Sequence, residues 1–401
     1  MQVEEQIIQE VERPERLVAP CTPDAESPHT EACTFWKGRV ALYAILKVLG
    51  IGPGDLVLLP GYTCFAVPSA ILFVGATPVY ADIDPSTFNV SLATIQKACG
   101  DAVSSRIKAV LVQHTYGLPA ELSPILNWAS KRRVPVIEDC AHALGSYYRD
   151  DAGTRTEVGT LGDAAFFSSQ WTKPVSTGLG GWARASDPKV HEHLCRFRDK
   201  ECVNPGLWES YLLGCQVLAR GVFSSSSLYW IALALYQNLY RRGVLVGTSS
   251  QEEFRAERPH DYAKKMSGFQ QWLLNRRLRD ISVRIHHRRL KQVYEAALDR
   301  AGLPTLKIPA YADPVLLRYP VRVAAKLRIM REARQRRIEL GDWYKHPVDV
   351  PDNVSPEIFG YHAGMCPEAE RAANEAINLP MHSGISERSA ETIVSFVKEF
   401  V

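Results

Sequence analysis

Short apolar runs alternate with stretches of helical periodicity through the first half of the chain. Five runs rich in Val, Leu, Ile, Ala and Phe predict strands at 56–60, 78–81, 107–112, 134–138 and 164–167. Apolar residues at helical spacing predict helices at 39–49, 65–73, 92–99 and 120–131. Strands separated by helix-length connections favour a mainly parallel sheet with helices on both faces, and such sheets bind ligands at the carboxyl ends of their strands.

The pattern changes after Gly181. Residues 186 to about 260 predict a helical, apolar insertion. A row of apolar residues on one helical face then predicts a single long amphipathic helix with a basic outer face: Leu274, Leu278, Ile281 and Ile285. The C-terminal part predicts a smaller α+β domain, with a strand at 316–323 and helices near 325–338, 367–377 and 386–400.

These elements divide the chain into three parts. Residues 1–34 are rich in proline and acidic residues and predict an N-terminal arm, 35–270 predict a large domain, and 271–401 predict a linking helix followed by the small domain. The apolar segment at 228–239 is shorter than the ~20 residues that a membrane-spanning helix needs. We interpret it as a helix at a subunit interface, and membrane association through it is the less favoured alternative.

Composition narrows the class of protein. Its 401 residues are 46% hydrophobic and 23% charged, and 47 basic residues are offset by 44 acidic ones, so we expect no nucleic-acid partner. The nine cysteines form no CxxC pair, and the polar N-terminus is unlike a secretory signal, so we expect reduced thiols in the cytoplasm. Asp82 and Asp84 suit a strand end, and His191 and His193 do not share a helix face, so we predict no metal site.

The candidate chemistry lies between the strand at 134–138 and the glycine loop that ends at Gly181. Asp139 follows that strand, and Lys173 follows the next one. A carboxylate can pair with a protonated pyridine nitrogen, and a lysine of lowered pKa can form a Schiff base with an aldehyde. Together the two residues indicate pyridoxal 5'-phosphate (PLP). Taken alone, each has a plainer interpretation: a surface lysine, and an aspartate that caps a helix.

Other positions could complete such a site. His142 could hydrogen-bond the ring hydroxyl of PLP, although a lone histidine is more often a core residue. Gly38 and Arg39 begin a predicted helix, where unpaired backbone N–H groups favour a phosphate, and Ser168 could add its hydroxyl.

Several motifs, in order, resemble those of the DegT/StrS family of sugar aminotransferases. They are GPGDLVLLPGYTCFAVPSAILFVGATPVYADID, HTYGLPAEL, VIEDCAHALGS, FSSQWTKPVSTGLGG, CPEAE and LPMHSGIS. The resemblance runs from about Gly38 to the C-terminus and is weakest between about 185 and 260. It implies an α/β fold, the PLP-dependent transferase fold type I, with a mainly parallel central sheet and a smaller C-terminal α+β domain.

The resemblance also implies a role for each candidate residue. Lys173 would hold PLP as a Schiff base and move the proton during amino transfer. Asp139 would bind the pyridine nitrogen, and His142 the ring oxygen. The remaining contacts follow from motif position: Ser168, Gly38 and Arg39 at the phosphate, and Cys64 beside the ring.

The activity implied is transfer of an amino group, from glutamate, to a keto-sugar, in particular a nucleotide-linked keto-deoxysugar. Lys173 favours transamination over the related dehydratases, which have histidine at this position. The resemblance further implies a cytoplasmic homodimer whose active site is shared between subunits. The alternatives are an enzyme of the same fold that acts on a lipid-linked or non-nucleotide carbonyl, suggested by the apolar segment at 228–239, and a non-catalytic regulator.

Three positions depart from the family pattern. Leu179 stands where the family's glycine loop usually has glutamate, and Cys64 stands where an aromatic residue often stacks on the ring. Residues 263–266 read Ala-Lys-Lys-Met, where the family often supplies an asparagine from the partner subunit to the phosphate. We expect any unusual substrate or cofactor contact at these positions.

Overall fold

A computed structural model of the chain describes residues 32–104, 106–150, 152–223 and 245–401. Most of the predicted arm and the whole apolar segment at 228–239 therefore lie outside the described residues. Among the described residues, no helix combines the length and the apolarity needed to cross a bilayer.

The described strands, in chain order, are β1 Cys33–Phe35, β2 Leu56–Pro60, β3 Thr63–Cys64, β4 Thr77–Ala81, β5 Ile107–Gln113, β6 Val136–Asp139, β7 Tyr147–Arg149, β8 Arg155–Glu157, β9 Ala164–Ser168, β10 Gly181–Ala185, β11 Ala312–Asp313, β12 Arg318–Arg322, β13 Val348–Asp349 and β14 Ala376–Pro380. The described helices are α1 Gly38–Val48, α2 Ala66–Phe73, α3 Leu92–Ser104, α4 Leu122–Arg132, α5 Pro188–Glu201, α6 Leu207–Phe223, α7 Gly268–Leu278, α8 Ser282–Ala301, α9 Lys326–Gln335, α10 Pro367–Glu375 and α11 Glu387–Lys398.

A seven-stranded sheet forms the centre of the molecule, in the order β1-β10-β9-β6-β5-β2-β4. The five strands from β9 to β4 run parallel and are the five predicted ones. Strands β10 and β1 add antiparallel at one edge and were not predicted. Cys33 and Thr34, assigned to the arm, belong to β1, so the sheet begins before the predicted boundary.

Helices cover both faces of this sheet, as predicted. Successive side chains of a strand point to opposite faces. Ala109 and Leu111 of β5 accordingly pack into a core cluster with α1 and α2, whereas Val110 and Val112 pack into a second cluster with α3 and α4. A strand buried on both faces must be apolar throughout, which is why the sequence shows continuous runs here.

The predicted long helix through Leu274 and Ile285 is wrong, because two helices, α7 and α8, replace it. The side chain of Asp280 accepts a hydrogen bond from the Ser282 amide at 2.9 Å. A carboxylate in this position satisfies an amide at the start of a helix. The Arg279–Asp280–Ile281 link therefore starts a new helix, although the apolar spacing continues across it.

The C-terminal elements form a smaller layered unit. Strands β12 and β14 pair antiparallel, and Tyr294 of α8, Tyr319 of β12 and Ile393 of α11 pack into one core cluster. Strand β14 was not predicted, and the predicted helix at 367–377 is wrong at its end because Ala376 already belongs to β14. The predicted boundary near 270 falls inside α7, and the later Tyr344 and Phe359 pack into the core of the large domain.

Candidate active site

One pocket at the carboxyl ends of β5, β6 and β9 contains every residue assigned from the sequence. Its empty volume, counted together with the open space at its mouth, is about 620 Å³. The seven predicted residues that line it are Gly38, Arg39, Cys64, Asp139, His142, Ser168 and Lys173. The fold thus brings together side chains that are up to 135 residues apart, counted from Gly38 to Lys173.

Lys173 reaches the pocket from the loop between β9 and β10. Its amide donates to the Gln170 carbonyl at 2.9 Å, which closes a turn that directs the side chain inward. The Lys173 Nζ lies 5.1 Å from the centre of the Trp343 ring. Burial lowers the pKa of Lys173 to about 8; the nearby Arg318 acts in the same direction, and Cys64 and Asp139 oppose it.

Asp139 ends β6 and lies across the pocket. Its Oδ1 accepts the Ala141 amide at 3.0 Å, and burial raises the pKa of the carboxyl to about 6. The Ala141 amide and the charge of Lys173 partly offset that rise. The hydrogen bond and the charge nearby do not offset the cost of burying this carboxylate. A cationic group bound in the pocket would therefore be favoured beside it.

The neighbouring Glu138 points to the opposite face and fixes the end of β6. Its carboxylate accepts the amides of Gly159, Leu161 and Gly162 at 2.6–2.8 Å and lies 3.0 Å from His114 Nε2. His114, Glu138 and Cys140 lie close enough together to suggest metal ligands. The Ala120 amide, however, donates to His114 Nδ1, so these donors already serve as a hydrogen-bonded brace.

His142 forms part of the pocket wall. It lies in a turn after β6 rather than on a helix. Its Nδ1 accepts the Tyr116 amide at 3.3 Å, its Nε2 lies 3.4 Å from the Tyr344 hydroxyl, and its ring stacks on Trp343 at 5.5 Å. Burial and the charges of Lys173 and Arg318 hold the pKa of His142 well below its usual value, so the ring is neutral.

At the other end of the pocket, α1 begins against β9 and β10. Glycine suits this position because a Cβ on residue 38 would lie only 3.0 Å from both Phe167 O and Ser168 Cβ, so these neighbours would have to move by a few tenths of an ångström. This close approach leaves the start of α1 open to the pocket.

Two positively charged side chains lie at the start of α1. Arg39 binds Glu253 at 2.6 Å and Ser249 at 3.0 Å, and Lys37 Nζ lies 3.4 Å from Glu253. All three charged groups are largely buried, so two positive charges face one negative charge. The excess positive charge and the helix start both favour an anion.

The departures from the family pattern have structural explanations. Leu179 lines the pocket and is buried in an apolar cluster with Trp36, Trp171 and Leu213, where burial of a carboxylate would be costly. Cys64 lines the pocket, and the ring of the following Phe65 lies under the Arg39 guanidinium at 5.3 Å.

The lysines in the segment 263–266 are held within their own chain. Lys264 Nζ contacts the carboxylates of Glu209 and Asp261, and Lys265 Nζ donates to the Asp199 carbonyl. Neither lysine lines the pocket.

Sequence reasoning missed several groups at the site. Trp343 and Tyr344 form a wall of the pocket, and Glu253 anchors both cations at the start of α1. Their local sequences carry no pattern that points to the site. Thr63 and Gln113 also line the pocket and are hydrogen-bonded to each other at 2.7 Å. Gln113 could have been found, because it directly follows the predicted strand at 107–112, as Asp139 follows the one at 134–138.

Comparison with known proteins agrees with this geometry. A sequence model of the DegT/DnrJ/EryC1/StrS aminotransferase family matches residues 27–217 and 237–398. GDP-perosamine synthase of Escherichia coli O157:H7 is 36% identical over 43% of this chain and 46% of its own length. UDP-N-acetyl-3-dehydro-alpha-D-glucosamine 3-aminotransferase of Acidithiobacillus ferrooxidans is 37% identical over 43% of this chain and 44% of its own. The match thus spans less than half the length of these two relatives.

A solved structure shares the whole fold. The PLP form of the sugar aminotransferase Spr1654 of Streptococcus pneumoniae superposes with a TM-score of 0.68 and 19% identity. The superposition covers 100% of this chain and 96% of that one. The large central sheet, the smaller C-terminal unit and the family match lead to one conclusion. The chain belongs to the DegT/DnrJ/EryC1/StrS aminotransferase family.

Proposed function

We propose that the protein is a PLP-dependent aminotransferase that moves an amino group from glutamate to the ketone of a nucleotide-linked sugar. The observation that carries the proposal is Lys173, a lysine of lowered pKa that shares one pocket with the buried Asp139 and with a cationic helix start. The two named relatives, a GDP-perosamine synthase and a 3-aminotransferase of a UDP-linked dehydro sugar, support the substrate class.

The residues present fit PLP. The buried Asp139 carboxylate suits a pyridinium. The neutral His142 accepts the Tyr116 amide at Nδ1, so its Nε2 carries the proton and can donate a hydrogen bond to the ring oxygen. Gly38, Arg39 and Ser168 would hold the phosphate, and the opening at Gly38 gives that group room to approach the backbone. Cys64 would lie beside the ring.

When bound, PLP supplies an electron sink that stabilises negative charge on the carbon from which a proton is removed. The chain contributes the groups that bind and move protons. At pH 7.5, a lysine of pKa about 8 is neutral in about a quarter of molecules, against about one in a thousand for an unshifted lysine. Lys173 Nζ can therefore take a proton from the amino donor and return it on the other side of the reaction.

Reconstitution of the purified protein with PLP tests the proposal. We expect visible absorbance of the bound cofactor, bleaching by glutamate with release of 2-oxoglutarate, and recovery of the absorbance with a keto-sugar nucleotide. Lys173→Ala should lose these signals, whereas Lys189→Ala, at an exposed lysine, should keep them. A protein that stays colourless after reconstitution, or that glutamate does not change, would overturn the proposal.

We further propose that the enzyme is a cytoplasmic homodimer whose active site is shared between subunits. Helix α6 carries an exposed apolar stripe, with Leu207 92%, Trp208 69%, Tyr211 61% and Leu218 67% exposed. A stripe of this kind on a helix suits contact with a second copy. The scattered cysteines, none in a CxxC pair, favour a reducing compartment. The lipid-linked alternative depends on the segment at 228–239, which lies outside the described residues.

A further inference from the structure

A second cluster of chemically reactive side chains lies where α5 packs against the edge of the sheet, outside the active-site pocket. Cys195 and His191 are one helical turn apart, and the Cys195 Sγ lies 3.6 Å from His191 Nε2. Helix α5 packs against β1, which carries Cys33. Cys195 packs against the core cluster that contains Cys33, and the Cys33 thiol acts on the Cys195 thiol, so the two thiols and the imidazole lie close together.

The surroundings of Cys195 favour its thiolate. The hydrogen bond from Cys33 is the largest effect, burial opposes it, and His191 and Arg198 add to it. Together they lower the pKa of the Cys195 thiol to about 4. Arg198 is held in place by Asp199 at 2.8 Å, and its charge acts on both thiols. The His191 Nδ1 is buried without a hydrogen-bond partner among the described residues, so Cys195 is the polar partner that the imidazole has.

Access to the two thiols differs. Cys195 is partly exposed, whereas Cys33 is fully buried behind it. An attacking thiolate that a small reagent can reach, with a second thiol in contact behind it, is the arrangement of a redox-active pair.

We propose that Cys195 is a modification site, a reactive thiolate that a hydroperoxide oxidises, and that Cys33 is its resolving thiol. In the first step, the Cys195 sulfur attacks the peroxide oxygen and the O–O bond breaks. The peroxide is reduced to an alcohol or to water, and Cys195 becomes a sulfenic acid. In the second step, the Cys33 sulfur attacks the Cys195 sulfur, the S–O bond breaks, and the hydroxide leaves as water with the Cys33 proton. The two thiols are oxidised by two electrons, which the peroxide accepts.

The product would be a disulfide between an edge strand and a helix. Cys33 is the first residue of β1, which ends at Phe35, and Trp36, Lys37 and Gly38 come directly after this strand. The new bond would therefore fix the start of α1 to α5.

The first test is the rate of alkylation by iodoacetamide in the intact protein, followed for the Cys195 peptide by mass spectrometry with glutathione in the same tube. Between pH 5.5 and 8, we expect the Cys195 rate to change less than threefold. Glutathione, as an ordinary thiol, should gain about tenfold per pH unit over most of this range. His191→Asn removes part of the stabilisation of the thiolate, so the Cys195 rate in this variant should rise more between pH 5.5 and 8 than it does in the wild type. A wild-type Cys195 rate that rises in parallel with that of glutathione would overturn the proposal, and this comparison needs no variant.

The second test is the product of oxidation. Under stoichiometric hydrogen peroxide, we expect a non-reducing digest to contain a Cys33–Cys195 linked peptide, which dithiothreitol removes. Cys33→Ser should leave Cys195 as a sulfenic acid that dimedone traps, and Cys215→Ser, at an exposed cysteine on α6, should keep the linked peptide. Recovery of Cys195 unmodified, or linked to another cysteine, would refute the role of Cys33. Both readouts are independent of amino transfer.

Discussion

Asp139 is buried at the end of β6, and the carboxyl pKa of about 6 means that the folded state disfavours its ionised form. The folded pKa lies above the ordinary aspartate value of 3.8. Ionisation of Asp139 therefore lowers the free energy of unfolding progressively as pH rises from about 4 to 6, and the full loss is present above that. We therefore expect Asp139→Asn to stabilise the cofactor-free protein by about 2 kcal/mol at pH 8 and by little at pH 4. Thermal unfolding of the two proteins at both pH values measures the difference.

The same substitution should reduce the gain in stability from PLP by more than it stabilises the cofactor-free protein, because the carboxylate that pairs with the pyridinium is gone. Wild type plus PLP should then unfold at a higher temperature than Asp139→Asn plus PLP, which reverses the order of the cofactor-free proteins. The same order with and without PLP would contradict the assigned role of Asp139.

Glu138 is also buried, but its hydrogen bonds stabilise the ionised form, so its pKa shifts in the opposite direction to that of Asp139. Burial alone would raise the pKa of its carboxyl, but the hydrogen bond with His114 and the amides of Gly159 and Gly162 lower it. We expect Glu138→Gln to destabilise the protein by about 3 kcal/mol at pH 7, because the amide nitrogen of glutamine cannot accept the backbone N–H groups. Urea denaturation measures the loss.

The pH dependence of the stability loss, together with a control variant, distinguishes the buried hydrogen bonds of Glu138 from the effect of removing any surface charge. The folded pKa of Glu138 is depressed, so its contribution is present above the usual glutamate pKa and is lost as pH falls through the folded pKa. The difference between wild type and Glu138→Gln should shrink in acid. Glu192→Gln, at an exposed glutamate on α5, should change stability by less than about 0.5 kcal/mol. An equal effect of the two substitutions would show that Glu138 is not a brace.

Which site residues the sequence could identify depends on how each is positioned. Asp139, Ser168 and Lys173 follow apolar strands, so the strand pattern and the shared sheet edge predict that they meet. Trp343 and Tyr344 lie in an irregular segment, and Glu253 begins a single 3-10 turn; both segments are distant in sequence from the strands that build the pocket. Their positions depend on tertiary packing, which local periodicity does not encode.

The same distinction holds for whole elements. The parallel strands were predictable because burial on both faces requires continuous apolar runs. Strand β10, with the sequence Gly-Trp-Ala-Arg-Ala, and the short β1 lie at the antiparallel edge and lack such runs. The break between α7 and α8 was missed because the apolar residues keep their helical spacing across it. The break is marked instead by one polar contact, in which the Asp280 side chain accepts the Ser282 amide at the start of α8.

The junction of β10 with α1 gives a prediction at this scale. A Cβ at Gly181 would lie 2.5 Å from Gly38 N and 2.6 Å from Phe167 O, and these backbone atoms cannot move away cheaply. We expect Gly181→Ala to destabilise the protein by about 3 kcal/mol and to weaken PLP binding at least tenfold, because it displaces the start of α1. Chemical denaturation and a PLP titration measure the two effects.

Gly268→Ala is the matched control, since nothing lies within 4 Å of a Cβ there and the position begins α7. It should leave PLP binding unchanged and stability equal or slightly higher. If Gly181→Ala bound PLP as tightly as Gly268→Ala does, the start of α1 would not be the phosphate site.

For the molecule as a whole, the stripe on α6 predicts assembly. Leu207, Tyr211 and Leu218 recur at helical spacing on a helix whose opposite face, through Leu213 and Val217, packs against Trp171 and Leu179 near the pocket. Water contact with so many large apolar groups is unfavourable, and burial against a second copy removes it. We expect the double substitution Leu207→Glu and Trp208→Glu to convert a dimer to a monomer in light scattering.

The matched control is Leu327→Glu, because Leu327 is 86% exposed but lies on α9 of the small domain, away from the stripe. It should remain dimeric. If the active site is shared, the monomer should also lose amino transfer while its circular dichroism is unchanged, and Leu327→Glu should keep the activity. A wild-type protein that is monomeric at all concentrations would contradict the dimer. A fully active Leu207→Glu, Trp208→Glu monomer would instead show that one chain supplies the whole active site. The pocket built from α1, β6 and the Trp343–Tyr344 wall would then be sufficient for amino transfer.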